Sequence, residues 1–149
     1  MGYTITQVED AILTVIRAST MADYCKKIDT YQMEGGDIEE QIRIFALQLP
    51  CVLVMYSGGD YVHAPGKRQE KEMRFSILVC AQSLRGGGDA RRGTVGTYKM
   101  LDDLRSTLTA NRLALDIDLV FPVKEAPEIN TDSFSAYSME VGTKCRFTF

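Results

Sequence analysis

The sequence lacks the residue groups on which most small catalytic and metal sites are built. Its 149 residues include a single histidine, His63, and no tryptophan. The four cysteines, Cys25, Cys51, Cys80 and Cys145, lie far apart, and no two of them form the C-x-x-C pair typical of zinc sites. The last three adjoin or lie within apolar, strand-like runs, so we expect reduced thiols that pack as small hydrophobic side chains. A reactive cysteine would need a histidine base, and nothing in the sequence places His63 beside a cysteine.

A basic charge excess and long apolar runs are also absent. The formal net charge is -3, which argues against nucleic acid as the main partner, because whole-domain binders usually carry a basic excess. No run approaches the roughly 18 consecutive apolar residues of a membrane span, and the N-terminus lacks the pattern of a signal peptide. We therefore expect no membrane partner and assembly in the cytoplasm of the cell that makes it. The length and the 45% hydrophobic content predict one globular domain over residues 1–149.

Hydrophobic periodicity predicts helices and strands in alternation along the chain. In order, these are a helix over residues 6–21, a short strand within 23–31, a helix over 38–49, strands over 51–56 and 71–81, a helix over 94–109, one bent or two short strands over 113–123, and a strand over 134–149. Residues 58–68 and 82–93 are predicted as polar or glycine-rich loops, and residues 125–132 as a turn region. This order predicts an α+β fold with a single mixed, largely antiparallel β-sheet and two to three packed α-helices.

Particular residues mark these elements. Thr6 and Glu9 have capping-box spacing, which predicts the start of the first helix. Pro50 predicts the end of the helix over 38–49. The last strand is far longer than the usual five or six residues, so we expect it to cross the whole sheet or to project toward a neighbouring subunit. The apolar stripes of the strand over 71–81 and the helix over 94–109 are predicted to contain Met73, Phe75, Ile77 and Val79, and Tyr98, Leu101, Leu104 and Leu108, respectively.

Two glycine runs, Gly58-Gly59 and Gly86-Gly87-Gly88, do not fit a nucleotide site. The P-loop string G-x-x-x-x-G-K-[ST] is absent. The dinucleotide fingerprint G-x-G-x-x-G fails because Arg91 stands where its third glycine would be. Both runs therefore predict flexible loops.

Basic side chains in these two loops indicate a candidate functional surface. Arg85, Arg91 and Arg92, with Lys67 and Arg68, could be solvated loop charges, a contact for an acidic protein surface on a partner or neighbouring subunit, or a nucleic-acid contact. Arginine suits a protein interface because its planar head carries several donors. The candidate interface residues come from the two loops and the last strand. They are Asp60, Tyr61, His63, Lys67, Arg68, Arg85, Arg91, Arg92, Lys144 and Arg146.

The carboxylates do not assemble into a catalytic pattern. Asp116 and Asp118 would share one face of a strand and could lie close together, but a solvated strand face is the more common arrangement. No histidine or cysteine cluster accompanies them. We therefore predict no catalytic, cofactor-binding or metal-binding residue, and we expect that the protein is not an enzyme.

Four stretches, taken in succession, resemble a known family. They are Val8-Glu9-Asp10-Ala11-Ile12; Leu49-Pro50-Cys51-Val52-Leu53-Val54 with Tyr56 and Gly58-Gly59; Phe75 leading to Arg91-Arg92-Gly93, Gly96-Thr97-Tyr98 and Leu101-Asp102-Asp103-Leu104-Arg105; and a β-rich C-terminus. Their order along most of the chain resembles the Mu-like phage tail-terminator protein family, formerly a phage domain of unknown function.

The resemblance implies a structural virion protein that acts at the head-proximal end of the tail. It implies a ring, generally a hexamer, that caps the tail tube, stops its polymerisation and joins the tail to the head connector. The implied partners are copies of the chain, the tail tube protein, the head–tail connector protein and, in contractile phages, the tail sheath. DNA is implied only as the molecule that passes through the ring. Two alternatives remain: another head–tail joining or tail-completion protein, or a small enzyme or nucleotide-binding domain.

Overall fold

The computed structural model describes residues 2–31, 49–83 and 85–148. Within them, five strands form one sheet of order β1-β2-β3-β5-β4. The strands are β1 (Lys27–Thr30), β2 (Cys51–Ala64), β3 (Arg68–Gln82), β4 (Phe121–Asn130) and β5 (Phe134–Thr148), and the helices are α1 (Ile5–Arg17), α2 (Gly87–Arg92) and α3 (Thr97–Leu108), with a 3-10 turn at Thr20–Asp23. Only β1 and β2 pair in parallel, so the predicted α+β fold with a mixed, largely antiparallel sheet is confirmed. Residues 38–48 of the second predicted helix lie outside the described residues.

Helix α1 begins two residues before the predicted capping box. The Thr4 hydroxyl accepts a hydrogen bond from the Gln7 N–H at 3.1 Å, and the Gln7 side-chain oxygen accepts one from the Thr4 N–H at 2.8 Å. Thr4 and Gln7 have the same spacing as Thr6 and Glu9, but only Thr4 has the extended backbone that a cap requires. Glu9 lies inside the helix, where its carboxylate accepts a hydrogen bond from the Thr30 hydroxyl on β1.

The main core lies between one face of the sheet and the helices α1 and α3. The predicted apolar face of β3 is fully buried there, with Phe75 in edge-to-face contact with Tyr56 of β2 at a centroid distance of 5.4 Å. In α3 the three predicted leucines are buried, but Tyr98 is exposed. The helix starts at Thr97 rather than at residue 94, and Thr97 and Met100 take the inward positions instead. Tyr98 packs at the surface against Tyr137.

The predicted loop over residues 58–68 is instead a long β-hairpin. Strand β2 continues to Ala64, and β3 begins at Arg68 after a three-residue turn. Ser57 is the extra residue of a β-bulge, because the register shifts between Tyr56 and Gly58, and Gly58 has a φ of 123°, which favours glycine. A Cβ on Gly59 would lie 2.5 Å from the Glu72 carbonyl oxygen, so the close approach of β2 and β3 next to the bulge depends on glycine there. The polar sequence reflects exposure on both faces of the hairpin.

The prediction of a turn region at residues 125–132 is also wrong, since most of these residues belong to strand β4. Pro122 and Pro127 are tolerated there because β4 is an edge strand with register shifts beside both prolines. The segment before it, which was predicted to be strand, is mostly irregular, so Asp116 and Asp118 do not lie on a strand. Strand β5 pairs with β3 along its full length, which confirms that it runs the length of the sheet.

Candidate assembly surfaces

The ten candidate interface residues lie at two opposite ends of the sheet. Seven of them lie on or beside the tip of the β2–β3 hairpin, which we call the hairpin end, and the three arginines lie at the other end, which we call the loop end. The hairpin-end residues are Asp60, Tyr61, His63, Lys67, Arg68, Lys144 and Arg146, and the loop-end residues are Arg85, Arg91 and Arg92. Strand β3 spans the distance between the ends, roughly 45 Å. The basic residues of the two predicted loops therefore do not form one joint surface.

At the hairpin end, Asp60, Glu72 and Lys144 form one row across β2, β3 and β5, on the face opposite α1 and α3. Glu72 is engaged by Arg74, whose guanidinium lies 2.7 Å from its carboxylate. Asp60 and Lys144 are exposed, and neither makes an ion pair within the described part of the chain. These two charges are therefore available to another molecule.

Arg146, unlike Asp60 and Lys144, is already paired within the chain. Its guanidinium donates to both carboxylate oxygens of Asp118, at 2.8 and 3.2 Å, and lies 3.4 Å from the Glu70 carboxylate. The hydrogen bond to Asp118 raises the pKa of Arg146 above its ordinary value. The pair ties the irregular segment that contains Asp118 to strand β5.

On the other face of the hairpin, Lys71 holds two tyrosines in place. Its ammonium lies 5.3 Å from the ring centroids of both Tyr56 and Tyr61, while the lysine itself is buried. Such cation–π contacts contribute about 0.5–2 kcal/mol each. The sequence offered no signal for Lys71 beyond its place in the alternation of β3, and its contacts join the Tyr56 and Tyr61 rings of β2 to strand β3.

The outer edge of the hairpin exposes apolar side chains. Strand β1 pairs with β2 only from Cys51 to Val54, and no other strand in the described residues pairs with this side of β2 over residues 55–64. We call residues 55–64 the β2 edge. Tyr61 is 62% exposed, Val62 is 55% exposed, and Met55 is also exposed. Met55 and Val62 lie on the face opposite α1 and α3, and Tyr61 lies on the other face.

A groove of about 500 Å³ lies at the other edge of the sheet, and the sequence prediction missed it. We call it the β4 groove; Phe121 and Val123, which are 50% and 51% exposed, supply its apolar wall. Val123 packs over Gly142 of β5, since a Cβ on this glycine would lie 3.4 Å from the Val123 side chain. Arg112 and Lys144 line the same groove. Its members come from three segments of the chain, so no local motif could have revealed it.

At the loop end, Gly86 and Gly87 have different structural reasons for being glycine. The predicted loop over residues 82–93 contains the short helix α2, and a Cβ on Gly87 would lie 2.4 Å from the Thr131 carbonyl oxygen. Gly86 has a φ of 120°, which favours glycine. Arg85 and Arg92 are exposed, whereas Arg91 is partly buried.

The cysteines are free and buried, which confirms their predicted packing role. Burial raises the pKa of the Cys25 thiol to about 12, so that it stays protonated near neutral pH. Among the residues described, no three histidine, cysteine or acidic side chains are grouped so that they could hold a metal ion. Within the same residues, no helix is long and apolar enough to cross a membrane.

Comparison with known proteins identifies a family. A family model with the description "Bacteriophage Mu, Gp37" matches residues 4–145. No curated protein matches the chain.

Proposed function

The chain belongs to the Bacteriophage Mu Gp37 family, and we propose that within this phage family it is a ring-forming tail terminator. Family membership indicates a structural or morphogenetic phage protein. In our proposal, copies of the chain close into a hexameric ring on the head-proximal end of the tail tube. The ring stops polymerisation of the tube protein and joins the tail to the head connector, without catalysing a reaction.

The β2 edge gives the strongest support for this proposal. It presents Met55, Tyr61 and Val62 to solvent on a hairpin in which Lys71 contacts Tyr61. Burial of apolar area contributes about 25 cal/mol per Å², so these side chains favour contact with another chain. A paired strand also loses less conformational entropy on binding than an unstructured loop would.

The two ends of the sheet suit a ring with two different faces. The hairpin end carries mixed charges with exposed apolar groups, whereas the loop end carries Arg85, Arg91 and Arg92. A terminator must match the last ring of the tube on one face and offer no tube-like surface on the other. Different chemistry at two ends about 45 Å apart fits that requirement.

Polymerisation of purified tube protein tests the proposal. We expect that adding this protein in increasing amounts stops tube growth and leaves it bound to one end of each tube. An unrelated protein of similar size serves as the control. Tubes that reach the same length at saturating amounts, with this protein left in the supernatant after pelleting, would refute the terminator role.

The two alternatives give different results. A head–tail joining or tail-completion protein would bind the connector and leave tube growth unchanged. A nucleotide-binding domain or small enzyme would show a rise in melting temperature with nucleotides or metal ions, because a ligand that binds the folded state stabilises it.

Reversing the charge at the loop end is predicted to impair tail joining without unfolding the protein. Arg85 and Arg92 are the residues to replace by glutamate, because both are exposed, whereas Arg91 is partly buried. Exposed substitutions usually change stability by less than about 0.5 kcal/mol. We expect weaker binding to the connector or the tube in a pull-down assay, with Arg105→Glu on the outer side of α3 as the matched control. Equal binding by both variants would exclude the loop end as a contact surface.

A further inference from the structure

We infer that neighbouring copies in the ring meet by docking the β2 edge of one copy into the β4 groove of the next. This inference rests on the proposed ring and names the surfaces that build it. The two surfaces differ from each other, as they must in a head-to-tail contact that closes on itself. The occupant of the groove is therefore a second copy of this chain.

The β4 groove combines an apolar wall with two available cations. Phe121 and Val123 are half exposed, and Val123 packs over Gly142. Arg112 and Lys144 line the groove, are exposed, and make no ion pair within the described residues. The two acids of the groove, by contrast, are already engaged by arginines: Glu72 by Arg74 and Asp118 by Arg146. The groove thus fits an acidic segment with apolar neighbours.

The β2 edge has the complementary chemistry. Its ten residues contain one acid, Asp60, and no lysine or arginine. Asp60 is exposed and makes no ion pair among the residues that the structure describes. Val62, which is 55% exposed, lies on the same face as Asp60, whereas Tyr61 lies on the other face against Lys71. One carboxylate and one apolar side chain on that face match two cations beside Phe121 and Val123.

The β2 edge and the β4 groove lie at the same level along the strands, at opposite edges of the sheet. Gly58 of β2, Arg74 of β3, Gly142 of β5 and Phe121 of β4 form one row of paired residues. Copies that meet along such a row are displaced sideways, with little shift along the strands. A head-to-tail contact without such a shift favours a closed ring, whereas a shift would generate an open helical filament.

Docking through side chains also agrees with how the edges are built. Strand β4 contains Pro122 and Pro127, which have no N–H to donate, and its register shifts beside each of them. Such features prevent continuous strand pairing at an edge. The carbonyl of Ile28 on β1 is likewise occupied, since the Arg17 side chain donates to it. A continuous intersubunit sheet is therefore disfavoured, and the groove receives the side chains of the neighbouring β2 edge.

Charge exchange between the two surfaces tests the inference. Asp60→Arg and Arg112→Asp, made separately, should each weaken ring formation on tube ends by about tenfold or more, because each places like charges in contact. The double variant Asp60→Arg with Arg112→Asp should recover assembly. Asp102→Arg, an exposed acid on α3 away from both surfaces, is the matched control and should assemble normally. Circular dichroism and melting temperature establish that each variant is folded.

Crosslinking provides a second readout should a charge variant fail to fold. Val62→Cys and Val123→Cys, made in separate chains and mixed, should give a crosslinked pair with a short bis-maleimide, because the native cysteines are buried. Val95→Cys, which is also exposed, replaces Val62→Cys in the control. Rings that form equally well with the single charge variants, a double variant that fails to recover, or crosslinking no greater than in the control would each overturn this interface while leaving the terminator role intact. Absence of rings with the unmodified protein would overturn the proposed function itself.

Discussion

Replacing Met55 and Val62 by glutamate is expected to abolish assembly on tail tubes while leaving the subunit folded. Both side chains are exposed, and both lie on the face opposite α1 and α3, with their cross-strand partners Ser76 and Glu70. Losing the burial of two apolar side chains would cost about 3 kcal/mol per contact, which is about a hundredfold in affinity. The loss recurs at every subunit contact of a ring. Counting occupied tube ends by electron microscopy measures the effect.

The matched control for this change is Val95→Glu, since Val95 is an exposed apolar residue that belongs to neither the β2 edge nor the β4 groove. Its tube ends should be occupied as often as those of the unmodified protein. The free energy of unfolding should be nearly unchanged in both variants, because an exposed substitution seldom alters it by more than about 0.5 kcal/mol. Normal capping by the Met55→Glu, Val62→Glu protein would show that the β2 edge takes no part in assembly.

Replacing Phe75 by alanine is expected to lower the free energy of unfolding by about 3–5 kcal/mol. Phe75 is fully buried at the centre of β3, between its cross-strand partners Tyr56 and Val141. The change removes its edge-to-face contact with Tyr56 and leaves a cavity that close-packed neighbours can fill only in part. Because domains of this size are stable by only about 5–15 kcal/mol, the loss is a large share of the total.

Urea unfolding at neutral pH measures this loss. Val95→Ala removes an apolar side chain from an exposed site and should shift the unfolding midpoint little. Equal destabilisation by the two variants would mean that the sheet face at Phe75 is not the centre of the core. If the Phe75→Ala protein fails to cap tubes, its loss of folded protein accounts for the failure. The Met55→Glu, Val62→Glu protein, by contrast, is expected to stay folded and still fail to cap tubes.

The elements that the sequence predicted well are those with one buried side. Strand β3 alternates in burial from Met73 to Ile77, strand β5 alternates from Met139 to Cys145, and helix α1 repeats Val8, Ile12 and Ile16 along one face. Each period follows directly from burial against a single core. Even the misplaced cap of α1 follows the correct physical rule, because two residue pairs share the same spacing.

The elements that it missed depend on tertiary position. The outer half of β2 is exposed on both faces, so its residues show no apolar alternation, and Gly58-Gly59 indicates a loop as readily as a bulge. Pro122 and Pro127 usually mark turns, and only the place of β4 at the sheet edge makes them compatible with a strand. Long-range packing, rather than local preference, determines both.

The candidate interface residues also differ in how much of their position the sequence alone could indicate. Asp60 and Lys144 were predicted as interface residues from charge and position, and the sheet places them on one face, three strands across. Arg146 was predicted beside them but is held by Asp118, a partner 28 residues away in the chain. The β4 groove was missed because Arg112, Phe121 and Gly142 meet only in the folded protein.

Negative-stain microscopy of tail tubes mixed with the purified protein tests most directly whether copies of this chain work by assembling on a tube. We predict a closed ring of identical subunits on one end of each tube, six in number, and none along its length. Bare tube ends at saturating protein, together with a monomeric mass for the protein in every mixture, would contradict the account.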